Sequence, residues 1–194
     1  FFKNLGITLT QGDVAKPNSI FECVLDIIGI AIVPAICEEF AMRCCALGLL
    51  KNYGKAFGVV SVSVVFGLLH GNVIQFIFAF LVGLVLAYIT IKTESIIPAM
   101  CIHALNNGMS AVSDTVNYAA GKEVNITVGF FAFWLLVGII ATIYLAIKHK
   151  LTIPKDDGNC VLTLGEKVSS FFFPGMILPF IVLIIMTAQT VKIG

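Results

Sequence analysis

Two adjacent carboxylates, Glu38 and Glu39, stand in the run GIAIVPAICEEFAMRCCALGLL, which otherwise reads as a helix buried in a membrane. A charge at the centre of a bilayer helix costs about 2.5 to 3.5 kcal/mol, so two in succession need partners or a chemical purpose. Arg43, His70 and His103 are the candidate partners. Glu39 and Arg43 are i and i+4, acid before base, the favourable order for an ion pair on one helix face. Glu38 is turned about 100° away from that face and stays available as a general base. His103 and Asn107 are also i and i+4, so an imidazole and a carboxamide share a face able to hold an oxyanion.

The elements that must position these groups are membrane helices. Of 194 residues, 59% are hydrophobic and only 12% charged, and the mean hydropathy is +1.02. That composition excludes a soluble domain, and a net charge of +1 without a basic patch sets nucleic acid aside as a partner. A crossing needs about 20 apolar residues. Charge-free windows at 73–91, 125–147 and 171–191 meet this. The stretch 56–69 is shorter, about 21 Å of helix, and is broken after it by His70, Gly71 and Asn72. Two further spans, 24–50 and 95–116, carry polar interiors: Asp26, Glu38, Glu39 and Arg43 in one, Pro98, His103, Asn106, Asn107 and Asp114 in the other.

The expected architecture is all-α: a polytopic transmembrane bundle of about six helices around a buried polar centre, forming a single domain over 1–194. Residues 1–19 are expected as an interfacial or loop segment and 149–169 as an extramembrane loop. The chain begins at Phe1 with no recognisable signal peptide, so an N-terminal portion is expected to be missing. Lys51, Lys55, Lys92, Lys148, Lys150, Lys155 and Lys167 fall on one side of an alternating bundle, against Lys3, Lys16, Lys122 and Lys192. The Lys51 side is therefore the expected cytoplasm. Counted at 1.5 Å per residue, Glu38 lies about 20 Å from Lys51, His70 about 22 Å from Lys55, and His103 about 13 Å from Glu94. All three fall inside the hydrocarbon at comparable depth.

Plainer readings exist for each feature taken singly. Glu39 with Arg43 is also a structural ion pair, a buried histidine is also a hydrogen-bonded core residue, and Asn106 and Asn107 also join membrane helices. The phenylalanines Phe66, Phe76, Phe78 and Phe80 read as core or lipid-facing. Of the six cysteines, Cys23, Cys37, Cys44, Cys45 and Cys101 lie in or beside apolar helices and read as small core residues. Asn125-Ile126-Thr127 fits a glycosylation sequon at a helix start.

The combination in fixed order is more specific. Glu38-Glu39 with Arg43 (EExxxR), Phe66 and His70 in FGLLH (FxxxH), then His103 and Asn107 in HALNN (HxxxN) resemble the CPBP family. That family comprises type II CAAX prenyl endopeptidases and related bacteriocin-processing and immunity proteins. The likeness runs from about Val33 to Met109. It implies an intramembrane endopeptidase, with no cofactor, acting near the C-terminus or leader of a membrane-associated peptide or protein. Glu38 would activate water together with His70, His103 with Asn107 would stabilise the oxyanion, and Glu39, Arg43 and Phe66 would support them. Met42 and Cys44 depart from the Phe and Gly that often flank the arginine.

Two alternatives stay open. One is a zinc peptidase using Glu38, His70 and His103 with an open fourth position. The other is a non-catalytic bacteriocin-immunity protein that binds a peptide at the same centre. The compact chain points to a bacterial cytoplasmic membrane as its setting.

Overall fold

The computed structural model describes residues 7–9, 17–121 and 162–193, with 129, 136, 140, 143–144 and 147–148 of the stretch between. These residues are helical apart from a short antiparallel ladder pairing β1 (Ile7–Leu9) with β2 (Val191–Ile193). The helices are α1 (Ile20–Tyr53), α2 (Lys55–Leu68), α3 (Val73–Thr93), α4 (Ile97–Ala120), α5 (Leu164–Ser170) and α6 (Pro174–Thr190).

Five of the expected spans fall on α1, α2, α3, α4 and α6, while 125–147 and the Asn125 sequon lie outside the described residues. By length and composition, α1 and residues Gln75–Thr93 of α3 suffice to cross a membrane; α2 and the apolar part of α6, Ile177–Met186, are shorter. Within 149–169, expected as a loop, α5 forms because Thr163 and Glu166 make a capping box. The Thr163 hydroxyl accepts from the Glu166 N–H at 3.3 Å, and Glu166 accepts from the Thr163 N–H at 2.7 Å.

Two compact units divide the chain, and their boundary falls inside α1 between Phe40 and Ala41. In the unit holding the first part of α1, Ser19 caps the helix by accepting from the Glu22 N–H at 3.2 Å. This part of α1 packs along α4 through small residues: Ala31, Ala35, Ala99 and Ala111 are all buried, and a Cβ on Gly108 would meet Ala31 at 3.5 Å, ordinary contact. Close backbone approach of this kind is how membrane helices associate. The turn before α4 places Glu94 at φ 53, and Gly121 at φ 61 ends the helix in the left-handed conformation.

Helix α1 is not uniform. Cys23, Ala31, Ala35, Glu39, Arg43 and Leu47 are buried and lie at multiples of four. In a regular α-helix a step of four drifts by about 40°, so this stripe would wind about 240° around the axis between Cys23 and Leu47. Two π-helical stretches, Ile27–Ile32 and Phe40–Ala46, counter that drift. Each inserts roughly one residue and so offsets about 100° of rotation locally. The first has a local cause in Pro34, which lacks an N–H and whose ring crowds the carbonyl four residues back. The Val33 N–H bonds Ile28, five residues back, instead.

The other unit gathers the end of α1 with α2, α3, α5 and α6. Leu47, Val62 and Ala87 form its core, with Met42, Ala46, Leu50, Val59 and Ile91 packed around them. Helices α2 and α3 form a hairpin whose break is the expected one: α2 stops at Leu68, Gly71 takes φ 64, and Asn72 Oδ1 accepts from the Gln75 N–H at 3.3 Å. Gly67 permits the close approach, since a Cβ there would lie 2.9 Å from the Phe76 carbonyl oxygen.

The outward faces are oily. Ile28, Ile32, Val33, Ile36 and Phe40 on α1 and Ile77, Phe78, Leu81 and Val85 on α3 are exposed. Exposed apolar residues in such runs are what a hydrocarbon solvent requires.

The expectation for the cysteines holds only for Cys23. Cys37, Cys44, Cys45 and Cys101 are exposed free thiols, because they sit off the buried stripe of their helices.

Candidate functional site

Each unit assembles its own part of the expected site. In the first, α1 contributes Glu38 and Glu39 and α4 contributes His103 and Asn107. Glu39 is fully buried, whereas the Glu38 side chain keeps 39% of its surface exposed. Neighbouring positions on a helix face apart by about 100°, and here one carboxylate turns to α4 while the other meets the open side.

His103 is the hub. Its Nδ1 lies 2.9 Å from Glu39 Oε1, its Nε2 lies 3.1 Å from Asn107 Nδ2, and Glu38 Oε2 stands 3.8 Å from the same Nε2. The carboxylate accepts and the amide nitrogen donates, so the ring carries its proton on Nδ1 and offers a lone pair at Nε2. Asn106 continues the chain, donating from Nδ2 to Asn107 Oδ1 at 3.2 Å. Every hydrogen bond in this chain points the same way, ending at Glu39. The carboxylate thus stabilises positive charge on the ring.

Glu39, expected as the partner of Arg43, meets His103. Spacing within one helix is blind to a partner 64 residues away. In the other unit the Arg43 guanidinium lies over the Phe66 ring, 5.1 Å from its centroid. Both side chains are buried, the setting in which a cation over a ring contributes about 2 kcal/mol or more. Phe66 also meets His70 edge to face at 5.1 Å. The role of the aromatic in FxxxH is thereby concrete: one ring supports the arginine on its face and the histidine against its edge.

His70 stands exposed in the turn after α2, where its Nδ1–H donates to the Phe66 carbonyl at 2.9 Å. A carbonyl only accepts, so Nε2 carries the lone pair. Met42 packs against the core of this unit and Cys44 is exposed, so the departures flanking Arg43 sit in different surroundings.

Among the described residues, no group of three or more His, Cys, Asp or Glu is arranged to hold a metal ion. A zinc ion bound through His103 Nε2 needs the lone pair that Asn107 occupies. The donor set fits zinc only if that bond is given up.

The site is thus a carboxylate–imidazole–carboxamide chain beside a second, open carboxylate. Residues 20–109 match the family model described as Rce1-like, type II CAAX prenyl endopeptidase, and no curated protein or solved structure matches. The match places this stretch, which holds every site residue named above, in the protease family that the three motifs resemble. The likeness is to a family of membrane proteases, and among the described residues two helices are long and apolar enough to cross a bilayer.

Proposed function

We propose that this protein is an intramembrane endopeptidase that cleaves a peptide bond near the C-terminus or leader of a membrane-associated peptide, without a metal. The observation that carries the reading is the chain through His103, with Glu38 beside it. Glu38 is the open carboxylate and takes a proton from the attacking water, a role worth about 10²- to 10⁴-fold in rate. The motif resemblance, rather than the geometry, assigns His70 as the second group on that water. The oxyanion of the tetrahedral intermediate receives an N–H of Asn107. It receives a second from His103 once the Asn107 amide leaves Nε2 for the oxyanion and Glu38 passes its proton across the 3.8 Å gap to that nitrogen. Glu39 offsets the imidazolium charge at Nδ1. Collapse of the intermediate returns the proton to the leaving amine.

The setting proposed is a bacterial cytoplasmic membrane with the Lys51 side cytoplasmic. The test is cleavage in proteoliposomes, with prenylated CAAX peptides and bacteriocin-type leader peptides as probes and mass spectrometry to locate the cut. Wild-type protein cleaves one class, and Asn107→Leu, which removes both amide donors, does not. If wild-type protein binds a probe without cutting it under all conditions, a peptide-binding role replaces this one.

A further inference from the structure

Asn106 belongs to none of the three motifs, yet it holds one end of the site. Its Nδ2 donates to Asn107 Oδ1 at 3.2 Å, with both side chains half-buried. A carboxamide has one accepting and one donating end, so fixing Oδ1 fixes Nδ2 as well. That Nδ2 faces His103 Nε2 at 3.1 Å, which obliges Nε2 to accept and leaves the ring proton on Nδ1 for Glu39 at 2.9 Å. We infer that Asn106 is a positioning residue: by orienting the amide of Asn107 it holds His103 in the tautomer with a bare Nε2.

The alternative arrangement is one bond rotation away. Turned by 180°, Asn107 presents Oδ1 to Nε2, which must then carry a proton. Two carboxylates of α1 face the ring, Glu39 at Nδ1 and Glu38 at 3.8 Å from Nε2, and each can only accept an N–H. The donor end of Asn107 reserves the Nε2 side for a lone pair. A ring with an N–H on Nε2 has no lone pair there to take the proton that Glu38 removes from water. In the proposed peptidase the amide orientation therefore keeps the proton path open. The functional meaning rests on that reading; the tautomer does not.

Asn106→Asp is the sharpest variant. It keeps the size of the side chain, but a carboxylate only accepts, so it draws Nδ2 of Asn107 toward itself and turns Oδ1 to His103. The chain has three histidines, His70, His103 and His149, so ¹⁵N-histidine labelling in nanodiscs resolves the ring nitrogens, with His103→Gln assigning the signals. Near neutral pH, wild-type His103 shows one protonated nitrogen, Nδ1, and one bare nitrogen. In Asn106→Asp both are protonated, and cleavage falls about ten- to a hundredfold. Asn106→Leu, which removes the donor to Asn107 Oδ1, gives a mixture of the two forms and supplies the reading if the Asp variant fails to fold. Unchanged His103 signals in both variants overturn the inference, as does a wild-type ring protonated on Nε2. If the signals shift as expected but wild-type protein cleaves nothing, the tautomer control stands and the peptidase reading falls.

Discussion

Replacing Glu39 by glutamine tests the hydrogen-bonded chain at its fully buried end. The carboxylate accepts a charge-assisted bond at 2.9 Å from His103 Nδ1. Such bonds contribute about 1.5–3 kcal/mol against about 0.5–1.5 for a neutral pair, so losing the charge removes roughly 1–1.5 kcal/mol of support for a protonated ring. That alone is about tenfold in rate. The larger effect comes from polarity, because the new amide can turn its NH₂ to Nδ1. The ring proton then moves to Nε2, against the N–H of Asn107, and the base at Nε2 disappears. Carboxylate-to-amide changes beside a catalytic histidine cost about 10⁴-fold when they stabilise the wrong tautomer. We expect cleavage to fall between about 10²- and 10⁴-fold. Stability should move by no more than about 2 kcal/mol, since deleting a buried charge also removes its desolvation cost. The assays are single-turnover cleavage in proteoliposomes and thermal unfolding in detergent. Activity within threefold of wild type, in a variant that folds, refutes the reasoning.

Phe66→Ala removes a buried ring and the face beneath Arg43; we expect a loss of about 3–5 kcal/mol for the cavity and up to about 2 more for the cation contact, read as a large fall in Tm, with Phe66→Leu much milder. Gly67→Ala sets a methyl 2.9 Å from the Phe76 carbonyl, and should cost about 1–3 kcal/mol because a backbone atom cannot yield as a side chain does. Hydrogen bonds from the Thr163 N–H and hydroxyl hold the Glu166 carboxyl below the usual carboxylate range. A depressed folded-state value means that the cap stabilises α5 above the ordinary carboxylate pKa and loses its effect as pH falls through the lower folded value. Amide-exchange protection at residues 166–168, corrected for intrinsic rates, should therefore hold from neutral to mildly acidic pH and then decline, and Glu166→Gln should abolish that step.

Much of the helix placement was legible because its signals are local. Charge-free runs marked α3 and α6, and Gly71 with Asn72 marked the hairpin between α2 and α3. The capped start of α5 is also written locally, in Thr163 and Glu166, but a polar composition reads as loop when that spacing is passed over. The two π stretches were hidden for another reason. The buried stripe of α1 runs in steps of four, and most of its outward residues are as apolar as a buried face, so polarity does not mark which side is inside. In the site, the groups on α4 were readable from the spacing of His103 and Asn107. The bond between Glu39 and His103 was not, because it joins different helices. Asn106 looked like helix-joining polarity, and only its bond to Asn107 Oδ1 distinguishes it.

In the proposed reaction Glu38 is the base that activates water. Its direct measurement is cleavage by Glu38→Gln in proteoliposomes, beside wild-type protein assayed with and without a strong chelator. A folded variant slower by at least about 10²-fold is expected, with wild-type activity indifferent to chelation. Cleavage at the wild-type rate by Glu38→Gln, or wild-type activity lost on chelation and restored by zinc, contradicts it.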